Sequence, residues 1–99
     1  MTDQPDDLRR VHIWVTGRVQ GVGFRSFVQN SGELFELTGW VRNVGDRTVE
    51  TVAEGRRAIL EKFAAAVGTG PRAARVDDMK VEWETASGEF PDFGVKYNT

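Results

Sequence analysis

Residues 11–28, VHIWVTGRVQGVGFRSFV, change their period in mid-course. Val11, Ile13 and Val15 alternate with His12, Trp14 and Thr16, the mark of a strand buried on one side. From Phe24 onward the apolar residues Phe24, Phe27, Val28, Leu34 and Phe35 fall at helical spacing. Between the two lies GRVQGVGFR, residues 17–25, with glycine at 17, 21 and 23 and arginine at its end. A strand that runs through a glycine-rich loop into a helix predicts the first half of a β-α-β unit. It also brings backbone N–H groups and the positive end of a helix to one point.

The rest of the chain follows the same reading. LTGWVRNVGDRTVETVAEG, residues 37–55, reads as two strands joined at Gly45-Asp46-Arg47, with Val41 and Asn43 on one face and Trp40 and Arg42 on the other. RRAILEKFAAAVG, residues 56–68, is a second helix whose buried stripe is Ile59, Leu60, Phe63 and Val67, with Gly68 as its stop. Met79, Val81 and Trp83 alternate with Lys80, Glu82 and Glu84 in a further strand, and Phe93, Val95 and Tyr97 end the chain in a short one. Gly32 interrupts the first helix at a cost of about 1 kcal/mol relative to alanine. The order β-α-β-β-α-β, with one extra short strand, predicts an α+β, ferredoxin-like sandwich. Two helices cover one face of an antiparallel sheet of four to five strands, and the other face is left to solvent.

Composition narrows the chemistry. Ninety-nine residues make one domain, expected over 9–99 behind a flexible N-terminal arm at 1–8, since MTDQPDDLRR has no apolar signal-like run. There is no cysteine, which removes thiolate chemistry and fits a cytoplasmic protein. One histidine, with Asp6-Asp7 and Asp77-Asp78 read as solvated charge, gives no metal-phosphatase ligand set. A net charge of −2 argues against nucleic-acid binding by bulk electrostatics, and no run is long enough for a membrane span. His12 is expected on the strand surface, and Trp14, Trp40 and Trp83 as packing residues.

On residue chemistry alone, the 17–25 loop is either a tight turn or an anion cradle in which Arg25 offers a fork of donors to two phosphoryl oxygens. It lacks the G-x-x-x-x-G-K-[ST] and G-x-G-x-x-G spacings of nucleotide loops. Asn43, a poor strand former, is either a turn residue or an amide able to hold a water.

GRVQGVGFR, followed by the asparagine of GWVRN eighteen residues beyond Arg25, closely resembles the acylphosphatase family. The resemblance runs from about Val11 to Tyr97. It implies hydrolysis of acyl phosphates to a carboxylate and inorganic phosphate, by a monomer without metal or other cofactor, with phosphate as product and inhibitor. By the matching motifs, Arg25 and the loop residues Gln20, Gly21, Val22, Gly23 and Phe24 hold the phosphoryl group, and Asn43 positions the attacking water. Gly17 and Thr48 are supporting residues, the Thr48 hydroxyl being expected to hold the Asn43 amide. The alternatives are a non-catalytic domain on the same frame that binds phosphate or carbamoyl phosphate, or an RNA-binding module. One departure from the family is the turn, where glycine comes at 45, a place earlier than in the common Asp-Gly hairpin.

Overall fold

The computed structural model describes residues 7–96, so Tyr97 and most of the expected 1–8 arm lie outside the described residues. The chain runs β1 (Leu8–Arg18), α1 (Phe24–Leu34), β2 (Thr38–Val44), β3 (Thr48–Arg56), α2 (Arg57–Thr69), β4 (Arg75–Thr85) and β5 (Phe93–Val95). The sheet order is β4-β1-β3-β2-β5. Each β-α-β half therefore skips one place in the sheet: β3 lies between β1 and β2, and β1 lies between β3 and β4. The first four strands pair antiparallel. β5 instead lies parallel to β2, with Phe93 opposite Gly39 and Val95 opposite Val41, so the sheet is mixed rather than wholly antiparallel. The chain leaves β4 at one edge, crosses to the other through residues 86–92, and enters beside β2 in the same direction.

Both helices lie on one face. Val11, Ile13 and Val15 of β1, Val41 of β2 and Val49 and Ala53 of β3 are buried with Phe24 and Val28 of α1 and Leu60, Phe63 and Val67 of α2. Among them, the β1 residues and those of α1 and α2 are ones that the period-two and helical patterns placed inside. Trp83 joins the edge of this core from β4, its ring covered by the Arg57 guanidinium at 4.3 Å. Trp14 and Trp40 lie on the other face with His12, whose ring stacks on Trp14 at 3.8 Å.

Two expectations about the helices change. Leu34, spaced to continue the apolar stripe of α1, is 80% exposed, and the helix ends there with Phe35 as its C-cap. Gly32 is buried in its place because the Phe93 ring of β5 presses against the helix; a Cβ there would stand 2.4 Å from that ring. The penalty in helix propensity is offset by a close helix-to-strand contact that no other residue permits. Gly68 does not stop α2, which continues to Thr69; Gly70, at φ 71°, closes it through its N–H to the Ala66 carbonyl at 2.9 Å.

Candidate functional site

β1 ends at Arg18, and residues 19–23 leave the ladder before α1 begins at Phe24. Gly21 takes φ 75° and Gly23 φ 79°. A Cβ at either position would meet no neighbour, so the left-handed backbone, not lack of room, demands glycine there. Gly23 caps α1, whose first internal bond runs from the Phe27 N–H to the Gly23 carbonyl at 3.0 Å. The N–H groups of Phe24, Arg25 and Ser26 thus precede the ladder. Among the described residues no side chain caps this end and no acidic residue stands in its first turn, an arrangement that favours an anion there.

Asn43 reaches the same place from β2. It stands opposite Val49, and like Val41 it projects to the helix side of the sheet. Val19, Gln20, Gly21, Gly23, Phe24, Arg25, Ser26 and Asn43 together line a cleft of about 140 Å³. The structure therefore brings together the arginine, the loop and the asparagine that the sequence singled out separately. Val22 is the exception among the loop residues, its side chain packing against the core beside the cleft. Ser26 is an addition that the motif did not mark. Its signal was its place, a hydroxyl in the first turn of a helix that follows a glycine loop.

The loop and the hairpin are tied to each other. The Gln20 side-chain amide donates to the carbonyls of Thr48 at 2.9 Å, Gly45 at 3.0 Å and Val44 at 3.4 Å. The Gly17 N–H donates to the Arg47 carbonyl at 2.9 Å. Gly17 also sits where β1 and β4 slip register, and a Cβ on it would lie 2.3 Å from the Arg75 carbonyl. Its support is therefore a matter of strand packing and turn anchoring. Gly45 occupies the first position of the turn at φ 60°, which accommodates the early glycine.

Thr48 requires a correction. It pairs with Val44 and with Thr16, and its hydroxyl lies 3.1 Å from the Thr16 hydroxyl on the open face of the sheet. Asn43 projects to the opposite face, so the expected hydroxyl-to-amide support does not form. What Thr48 offers the site is its backbone carbonyl, held by Gln20.

Comparison with known proteins points one way. The family model described as acylphosphatase matches residues 11–95. An acylphosphatase of Salinibacter ruber is 46% identical over 88 residues, covering 89% of this chain and 93% of that one. An acylphosphatase of Trichormus variabilis is 51% identical over 81 residues, covering 82% and 80%. The crystal structure of acylphosphatase from Bacillus subtilis superposes with a TM-score of 0.86 at 39% identity, over 90% of this chain and 99% of that one.

Proposed function

The chain belongs to the acylphosphatase family, and from that premise we propose how its cleft works. The protein is an acyl phosphate hydrolase. The Arg25 guanidinium and the N–H groups of residues 20–25 hold the phosphoryl oxygens, and the Asn43 side chain orients a water in line with the departing carboxylate. The single observation behind this assignment is the meeting of loop, arginine and asparagine in one cleft.

The reaction asks little beyond these groups. The water oxygen bonds to phosphorus as the bond from phosphorus to the acyl oxygen breaks, and the water proton passes to the substrate's own phosphoryl oxygens. A dianionic acyl phosphate thereby becomes a carboxylate and a monoanionic phosphate. The leaving group is the conjugate base of an acid with a pKa of about 4, so it departs without a general acid. Phosphoryl transfer through a loose transition state depends on position and charge stabilisation, which a guanidinium fork and fixed N–H donors supply. A cysteine-free sequence suits the cytoplasm. The test is release of phosphate from benzoyl phosphate by the purified protein in the presence of a chelator. Steady turnover is expected; activity that disappears with chelator would overturn the division of roles given above.

A further inference from the structure

On the face of the sheet away from the cleft, three potential metal ligands converge. They are His12 of β1, and Glu82 and Glu84 of β4, whose ligand atoms all lie within 4.8 Å of one another. The strand pairing holds them there, since His12 stands directly opposite Glu82 and Glu84 is the next residue on the same face of β4. His12 is the chain's one histidine.

The imidazole is oriented as a ligand. Its Nε2 lies 2.6 Å from a Glu50 carboxylate oxygen, and that carboxylate is 6% exposed and is also held by the Arg42 guanidinium at 2.8 Å. Trp14 stacks on the ring at 3.8 Å, which fixes its plane. On the other side of the ring, Nδ1 lies 3.7 Å from a Glu84 oxygen. A carboxylate on the remote nitrogen is the usual support of a metal-bound imidazole, because it sets the tautomer and raises the basicity of the ligand.

We propose that His12, Glu82 and Glu84 form a site for a divalent transition-metal cation, with Zn²⁺ as the best match. One imidazole nitrogen and two carboxylate oxygens, with solvent completing the shell, suit this borderline ion better than Mg²⁺ or Ca²⁺, which favour oxygen alone. Ligands at about 2.0–2.1 Å from a tetrahedral centre lie roughly 3.4 Å apart, so the glutamates must draw in. Glu82 is exposed and the Glu84 side chain is 39% accessible, so both can turn once they leave their ion pairs. The cation competes with Lys80, 3.3 Å from Glu82, and with Arg10, 3.8 Å from Glu84. The site is independent of the acyl phosphate cleft and does not rest on the reading given for it.

The experiment is calorimetric titration of the full chain with ZnCl₂ near neutral pH in a buffer that does not chelate. One site per chain is expected, with affinity at least tenfold weaker in His12→Gln and weaker again than wild type in Glu84→Gln. The second variant changes only a partly exposed side chain, so it keeps the test sound if loss of the buried His12–Glu50 contact disturbs folding. Acyl phosphate hydrolysis by Glu84→Gln is expected to match wild type. Absence of saturable binding by the wild-type chain, or equal affinity in wild type and both variants, would overturn the proposal.

Discussion

The sheet meets negative charge differently on its two sides. On the open face, Glu54 is almost fully buried and is answered from within the chain. It accepts from Arg10 Nε at 2.7 Å and from the Ser87 N–H, the Ser87 hydroxyl and the Gly88 N–H, each at 2.9 Å. Burial works against its ionisation, but those N–H groups, the guanidinium and the hydroxyl outweigh it and hold the carboxyl at about 2. Glu50 follows the same rule: burial raises its pKa, while His12 and Arg42 together bring it below the usual range. At the cleft, among the described residues, the helix N-terminus has no side-chain cap and no acidic residue in its first turn. One region spends its donors on fixed carboxylates to hold the 86–92 crossing in place. The other presents the N–H groups of a helix end, which suits the phosphoryl group proposed to bind there.

The sharpest way to break this comparison is to remove the cleft's charge. Arg25→Ala is expected to lower kcat/KM by roughly 10³-fold and to weaken inhibition by inorganic phosphate. Asn43→Ala is expected to lower kcat by roughly 10²-fold while inhibition by phosphate stays close to wild type, because the work proposed for it is on the water. Steady-state kinetics with phosphate as inhibitor separates the two. Equal loss of phosphate affinity in both variants would mean that Asn43 binds the phosphoryl group instead.

What could be read beforehand follows the range of the forces involved. Alternation in β1 and the stripe of α2 are local patterns, and they placed Val11, Ile13, Val15, Leu60, Phe63 and Val67 in the core, where they are found. The direction of β5 has no local signature, since its pairing depends on a partner strand more than fifty residues back. Leu34 was misplaced for a similar reason: periodicity could not show that Phe93 would press on Gly32. The glycines and the ill-suited asparagine drew attention to Arg25 and Asn43 but left a tight turn and a turn residue open, and it was the motifs shared with the family that joined the two, as their meeting in one cleft reflects. The Gln20 side chain was not legible, because its three acceptors lie across the cleft on another hairpin.

Gln20 offers the next largest effect, because it couples the two halves of the cleft. Gln20→Met keeps the length of the side chain and removes all three bonds to the hairpin. The expected result is a fall in kcat/KM of about tenfold, a modest version of the losses that follow a misplacement of about 1 Å. A variant with wild-type kinetics would show that the loop and hairpin hold their geometry without this strap.

Glu54→Gln tests the other side. The folded-state pKa lies below the ordinary 4.5, so the stability that ionised Glu54 contributes is fully present above that value and is lost as pH falls towards 2. The variant is expected to be less stable at neutral pH by roughly 2–3 kcal/mol, with the gap to wild type closing as the pH falls through that window. Denaturant titrations at a series of pH values measure it. Turnover at neutral pH should be unaffected, since Glu54 faces away from the cleft, and a large loss of activity would join the two regions that the comparison separates.

The smallest effect is expected at Thr48, where the two regions come closest. Its hydroxyl belongs to the open face, 3.1 Å from the Thr16 hydroxyl, while its carbonyl belongs to the cleft through Gln20. Thr48→Val removes the first and keeps the second, in a β-branched residue that suits the strand. Loss of one neutral hydrogen bond on a part-exposed surface predicts a stability change of at most about 1 kcal/mol. The kinetic constants should remain those of wild type, because no atom that Gln20 or the cleft uses has moved. A clear fall in kcat would restore the hydroxyl as a support for Asn43 and would show that the division between the faces gives way at the end of β3.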